Sequence, residues 1–338
     1  MRRITIGPDE AGQRLDKFLR KYMKEAPGSF FYKMMRKKNI TLNGAKCNGS
    51  EKLTQKDAVC FFLAEETLEK FGAPPEHALD TAEYERAFLR FCEIPIVYED
   101  AHILAVNKPA GVLSQKASFA DLSLNEWLIG YLLKTGQTDA KRLVTFRPSV
   151  CNRLDRNTSG LVLCGKSLEG TQFLTEQIRS HGLRKFYRLM VKGRIAGKKE
   201  LTGWLKKDAA TNRVEIEDSR TPEAVPIKTG IRPLKYGELP GKIVFTLAEA
   251  ELFTGKTHQI RAQLSHAGHP LLGDEKYGDA RTNAVCRKSG IKAQLLHSFR
   301  VAFPEKLPEP FSALEGRVLT AEEPPAFRMM EDFLNEHD

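Results

Sequence analysis

Apolar side chains recur at helical spacing near the start of the chain. In EAGQRLDKFLRKYM, Leu15, Phe18, Leu19, Tyr22 and Met23 fall on one face, while Arg14, Lys17, Arg20, Lys21 and Lys24 occupy much of the rest. This predicts an amphipathic helix with a cationic outer surface. A second helix is expected from Ser29, as N-cap, through Phe31, Met34 and Met35 to the basic run Arg36-Lys37-Lys38. Strand alternation follows: Ile40 and Leu42 precede Asn43-Gly44, a strand entering a tight hairpin, and a short apolar strand runs from Ala58 to Leu63. Residues 65–92 hold Pro74-Pro75, several acids and little periodicity, so a linker is expected there, with a short helical piece near Tyr84 to Phe91.

From Ile94 onward a larger body is predicted. ILAVNKPAG (103–111) is a buried strand running into a Pro-Gly turn. SLNEWLIGYLLKTG carries a capping box, Ser123 with Glu126, an apolar face of Leu124, Trp127, Leu128 and Tyr131, and Gly136 as a stop. LVLC is a short strand, followed by a helix over 168–180 that ends at His181-Gly182. KFYRLMVKG alternates Tyr187, Leu189 and Val191 on one strand face. A long strand at 243–252, a turn and helix at TGKTHQIRAQLSHAG, and a strand at QLLHSFRVAFP complete the pattern. Strands joined by turns and a few helices, without regular βαβ alternation, predict an α+β fold with a mainly antiparallel sheet.

Length and composition agree with this: 338 residues, 41% hydrophobic and 28% charged, support a large core and two domains. No apolar run reaches membrane-spanning length and MRRITIGPDE lacks the apolar core of a signal peptide, so a cytoplasmic protein is expected. The six cysteines are scattered without a CxxC pair, and His258, His266 and His269 do not match a zinc site, so no metal is expected. Charge changes the picture more. Residues 1–56 carry 14 Lys and Arg against 5 Asp and Glu, residues 57–100 carry 3 against 11, and residues 101–338 carry 36 against 27. A basic head, an acidic neck and a basic body suggest a polyanionic partner, with nucleic acid foremost.

One acid stands out. In CNRLDRNTSG, Asp155 lies between Arg153 and Arg156, with no second acid in the stretch. Its residues alone allow a nucleophile or base, a structural partner of the neighbouring arginines, or an Asx-type turn former.

Two resemblances sharpen these readings. RLDKFL, followed by Ser29 and by NITLNG, resembles the S4 RNA-binding module over residues 12–64, departing at Phe30, where Arg is usual, and at Lys38, where Gly is common. RLDRNTSG, with NKPAG upstream and KFYRLMVKG, GKTHQIRAQLSHAGHPLLGDEKYG and QLLHSFRVAFP downstream, resembles the RluA-type pseudouridine synthases over residues 103–304. An S4-like head on such a body is similar to the branch acting on large-subunit ribosomal RNA. The resemblance implies the pseudouridine synthase fold in residues 93–338, a head in 1–64, an acidic linker in 65–92, and an isomerase that needs no cofactor.

It also implies roles. Asp155 matches the catalytic aspartate, Tyr187 the active-site tyrosine and Arg261 the arginine paired with the aspartate. A carboxylate beside C1′ or C2′ of the ribose can attack, stabilise or deprotonate as the glycosidic bond breaks, and a cation opposes the rise in pKa that burial would cause. Tyr187 is expected to stack on uracil and relay a proton. Arg153 is the candidate to fill the gap left by an extruded uridine. Lys108, Lys185 and Lys256 in the body and Arg14, Lys17, Lys33, Arg36 and Lys37 in the head are expected to meet phosphates. Thr158, Ser159 and Gly160 are expected to let RNA approach closely, with His258 and Gln259 supporting the loop that places Arg261. Asn152, Lys256 and Ser114 depart from the family's usual His, Arg and His.

The expected partner is structured RNA and the expected state a monomer. Competing readings are a synthase acting on transfer RNA, an RNA clamp without activity, and a uracil-releasing glycosidase. The last is disfavoured because a common glycoside hydrolase uses two carboxylates.

Overall fold

Burying the stripe of Leu15, Phe18, Leu19, Tyr22 and Met23 organises the head. The computed structural model describes residues 1–72, 80–140, 142–208 and 213–334, so Pro74-Pro75 lies outside the described residues. Strand β1 (Arg2–Thr5), helices α1 (Leu15–Tyr22) and α2 (Gly28–Arg36), and strands β2 (Ile40–Leu42), β3 (Ala45–Lys46) and β4 (Ala58–Phe61) form a sheet of order β1-β4-β2-β3 under two helices. The stripe meets Phe31, Met35, Ile40, Val59 and Phe61 in one core. Asn43 and Gly44 both take positive φ (54° and 77°), the geometry of a two-residue hairpin turn. Asn43 Oδ1 also accepts the Ala58 N–H at 2.7 Å. Lys38 sits at φ 59° just past α2, a left-handed position that favours Gly.

Three expectations for this region change. Ser29 does not cap α2: Pro27 occupies that position with φ −65°, already suited to helix entry, and Ser29 lies in the first turn. Strand β1, not anticipated, pairs with β4. Within the acidic segment the helical piece expected near Tyr84 to Phe91 is present, and a second short helix, not anticipated, precedes it. Helix α3 (Glu65–Lys70) places Leu68 in the head core with Phe71 beside it, and α4 (Ala82–Arg90) packs Ala87 and Phe88 on the body. Six residues are too few for α3 to show a helical period. The head also touches the body directly, through the Arg142–Asp9 ion pair at 3.0 Å and a Thr145–Glu10 hydrogen bond.

The body is an eleven-stranded sheet. Its strands are β5 (Ile96–Glu99), β6 (Ile103–Lys108), β7 (Ser149–Val150), β8 (Ser159–Gly165), β9 (Arg184–Lys192), β10 (Lys199–Asp208), β11 (Arg213–Glu217), β12 (Val225–Leu239), β13 (Ile243–Leu252), β14 (Leu296–Ala302) and β15 (Val318–Thr320). They run in the order β11-β10-β12-β13-β9-β14-β8-β6-β5, with β7 on β8 and β15 on β14. Among these strands only β8 and β14 pair in parallel, so the mainly antiparallel α+β fold expected is the one found. Helices α5 (Leu124–Lys134), α6 (Arg142–Thr145), α7 (Leu168–Arg179), α8 (Gln259–His266) and α9 (Ala280–Lys288) flank it. Leu189 and Val191 face the core shared with Trp127 and Leu128 of α5, whereas Met190 points to the other face. The hairpin strands β10 and β11 and the long β12 were not anticipated, because their outward positions are rich in Lys and Glu and β12 carries Pro226 and Pro233.

The parallel contact sets the geometry near Asp155. Gly160 has φ 112°, and a Cβ there would lie 2.2 Å from the Ser298 carbonyl oxygen. Its missing side chain serves strand approach, not the RNA approach expected from the sequence. Next to it, Ser159 Oγ lies 2.9 Å from Nδ1 of His297, a fully buried imidazole whose pKa burial pushes down to about 4.

Unfolded, His297 would take up a proton near pH 6.5; folded, it refuses one until about 4, so acid favours unfolding. Stability should therefore be full above pH 6.5 and fall by about 3 kcal/mol toward pH 4 from this group. Urea melts across that range check this, and the loss should be shallower in a folded His297→Gln variant.

Candidate active site

Asp155 sits in the loop between β7 and β8, and that loop is pinned from three directions. Leu154 is buried; its N–H donates to Ser114 Oγ at 2.9 Å and its carbonyl accepts from the same hydroxyl at 2.8 Å. Asn152 bridges to β8, accepting the Leu163 N–H at 2.7 Å and donating to the Leu161 carbonyl at 3.3 Å. On the far side, the Arg156 carbonyl accepts the Gly111 N–H at 2.8 Å and Lys108 Nζ at 3.1 Å. Ser114 and Asn152, two positions that depart from the family's usual residues, are thus both built into the support of this loop.

The carboxylate meets a cation from the opposite wall. Arg261, on α8, donates from Nη1 to Asp155 Oδ2 at 2.7 Å. Its other edge is a two-point pair with Asp274: Nε to Oδ2 at 2.7 Å and Nη2 to Oδ1 at 2.9 Å. Asp274 is wholly buried, which alone would raise its pKa. The Arg261 guanidinium and the N–H groups of Tyr277 and Lys276 outweigh burial and hold it below the usual carboxylate range. Burial likewise works against the Arg261 charge, and Asp274 and Asp155 together more than restore it. Sequence reading missed Asp274. The signal was present as the acid of GDEKYG, thirteen positions after an arginine that had to be buried.

Tyr187, on β9, approaches from the sheet floor. It is buried beside Leu154 and Ile260, and burial pushes its pKa up to about 12, with Asp155 adding to the rise and Ser298 opposing it. His258 precedes α8 in the left-handed conformation, φ 54°. Its Nε2 lies 3.9 Å from Asp155 Oδ2 and its Nδ1 3.0 Å from the Tyr277 hydroxyl, while Gln259 is buried and bonded to Thr254 and Thr229. Burial lowers the His258 pKa against the pull of Asp155.

These groups open into a cleft of about 990 Å³. Lys116, Arg153, Arg156, Arg179, Lys185, Lys207, Lys256 and Arg261 line it, and among the described residues Asp155 is its one carboxylate. Arg153 and Lys256 are exposed on its walls; Lys185 is nearly buried, and burial lowers its pKa. Lys108 does not join them. Its side chain is completely buried, with Nζ donating to the carbonyls of Pro109, Val112 and Arg156 at 3.0, 2.8 and 3.1 Å. Burial pushes its pKa down to about 7, opposed by Asp155. It holds two turns together and meets no phosphate. In the head, Arg14, Lys17, Lys33, Arg36 and Lys37 are all exposed on or beside α1 and α2, with Arg14 paired to Asp16.

A roomy, cation-lined cleft with a single braced carboxylate suits an enzyme that modifies nucleic acid. Comparison with known proteins narrows this. The RNA pseudouridylate synthase family profile matches residues 102–266. Ribosomal large subunit pseudouridine synthase C of Vibrio cholerae is 32% identical over 303 residues, covering 89% of this chain and 88% of that protein; its Pasteurella multocida counterpart is 30% identical over 89% and 85%. Among solved structures, human RNA Pseudouridylate Synthase Domain Containing 4 aligns with 74% of this chain and 96% of its own at a TM-score of 0.55 and 19% identity, a likeness of fold. The chain belongs to the RluA-type pseudouridine synthase family, and its reaction is the isomerisation of uridine to pseudouridine in RNA.

Asp274→Asn removes one partner of a buried ion pair and should cost about 3–5 kcal/mol of stability. Urea unfolding at pH 7 checks this; a loss below about 1 kcal/mol, the scale of a surface pair, would contradict the pairing.

Proposed function

We propose that this chain isomerises uridines of large-subunit ribosomal RNA, with Asp155 as the reacting group and without a cofactor. The observation that carries this is the Arg261–Asp155 contact at 2.7 Å in a cleft whose other charged lining groups, among the described residues, are Lys and Arg. Cations draw in and seat the phosphates; the lone anion is reserved for the sugar. The relatives named for the ribosomal large subunit supply the substrate class.

In this reading the bond between C1′ and N1 breaks as the Asp155 carboxylate acts on the ribose, by attack at C1′ or proton removal from C2′. The detached uracil anion stays bound, turns, and bonds to C1′ through C5; this displaces Asp155 from C1′ on the attack route, or is accompanied by return of the proton from Asp155 to C2′ on the other, after which C5 loses its proton and N1 takes one up. Because the base carries its own negative charge and is never released, no second carboxylate is needed to protonate it. Arg261 keeps Asp155 ionised and aimed. Tyr187, holding its proton at neutral pH, offers uracil a ring face and a hydroxyl donor, not a phenolate. Arg153 on the cleft wall fills the space a flipped uridine leaves. The head, with its exposed cations on α1 and α2, holds a distant segment of the same RNA.

Asp155→Ala should reduce pseudouridine formation on unmodified large-subunit ribosomal RNA to the uncatalysed background while RNA binding persists, as tritium release from C5-labelled uridine and filter binding would record. Residual turnover near wild type would sink the assignment, and free uracil among the products would point to a glycosidase. Mutating Lys17, Lys33, Arg36 and Lys37 together to Gln should weaken binding and flatten its dependence on salt. An unchanged salt slope would remove the head from the RNA interface.

A further inference from the structure

We infer that Phe119 is a preformed stacking platform for a nucleobase of the RNA at the mouth of the cleft. This rests on the RNA reading of the site above and adds a positioning residue to it. Phe119 is 96% exposed, more than any other large hydrophobic side chain among the described residues. Single exposed apolar residues are ordinary; a whole aromatic ring held out on a braced loop beside a binding cleft is not.

The bracing is specific. Leu113 and Ser123 bridge at the base of the loop, where the Leu124 N–H donates to the Leu113 carbonyl at 2.8 Å, so residues 114–122 form a closed excursion. At its tip, Asp121 Oδ2 accepts the N–H groups of Ala117 and Ser118 at 3.2 and 2.7 Å and the Ser118 hydroxyl at 3.0 Å. This small carboxylate-capped turn fixes the backbone on both sides of Phe119. The first arm of the loop, Leu113 to Ala117, lines the same cleft as Asp155. Lys116 Nζ, ion-paired with Glu83, stands over one face of the Phe119 ring at 5.7 Å from its centroid, and the 96% exposure of the residue leaves the other face open.

A fixed ring with one face open to solvent is what an unstacked base requires, since base–aromatic stacking needs only an accessible π-face. Extruding a uridine unstacks its neighbours, so such bases occur next to the target. Arg153 enters from the Asp155 loop and Phe119 from the neighbouring 114–122 loop, which Ser114 ties to Leu154, and the two serve different nucleotides.

The test uses the full chain in an Asp155→Ala background, which binds RNA without consuming it, and an unmodified large-subunit ribosomal RNA transcript as probe. Phe119→Ala should weaken binding roughly 5- to 150-fold, the range expected for losing one base–aromatic stack. Phe119→Trp should retain affinity and show quenched indole emission on adding RNA, whereas Phe119→Leu, apolar but without a ring face, should bind as poorly as Ala. Thermal midpoints should not move, since the ring packs against no core. Affinity unchanged in Phe119→Ala, or Leu binding as well as Trp, would overturn the inference. These are binding measurements, so turnover by Asp155→Ala alone would sink the catalytic assignment and not this one.

Discussion

The arrangement of this site depends on one guanidinium divided between two carboxylates. Arg261 gives two donors to Asp274, which is wholly buried, and one to Asp155, which opens into the cleft. The two-point pair fixes the plane of the guanidinium, leaving Nη1 a single direction in which to point. Neither buried charge is tolerable alone, so the pair is set by folding itself. Asp274 is held in turn by the turn that contains it: Lys276 and Tyr277 donate backbone N–H groups to its carboxylate, and Asn283 of α9 donates to its carbonyl at 2.9 Å while accepting the Gly273 N–H at 3.0 Å. Orientation passes from this rigid turn through Arg261 to the acid.

The second half of the constraint comes from the loop that carries Asp155. It lies at one end of the central strands, where β8 runs parallel to β14 and Tyr187 rises from β9. A buried lysine is an unusual tie, yet Lys108 has what the position needs: three donors for three carbonyls belonging to two separate turns. Ser114 bonds both backbone groups of Leu154, and Asn152 ties the loop to Leu161 and Leu163 of β8. The carboxylate is thus held in place from both walls.

Much of this was legible in the sequence where periodicity or turn chemistry was strong. The stripe of α1, the Asn43-Gly44 hairpin and the N-cap at Ser123, whose Oγ accepts the Asn125 N–H, formed where the pattern placed them, although Glu126 accepts the Ser123 hydroxyl and not its N–H, so the box is not closed. Strand β13 kept its expected bounds. What escaped was set by tertiary context. Lys108 reads as a surface cation because sequence does not reveal that its neighbours leave carbonyls unpaired. Gly160 reads as a gap for a ligand, while the gap is filled by Ser298. Helix α3 is too short to show a period, and Asp274 is recognisable only once Arg261 is known to be buried.

The relay from Asp274 through Arg261 to Asp155 is tested most directly by turnover in Asp274→Asn, measured well below its unfolding midpoint, with RNA affinity followed in parallel. If the guanidinium aims the reacting carboxylate, pseudouridine formation should fall by about 100-fold, the scale of a small misplacement of a reacting group, while RNA affinity stays close to wild type. Wild-type turnover in the folded variant would contradict the account.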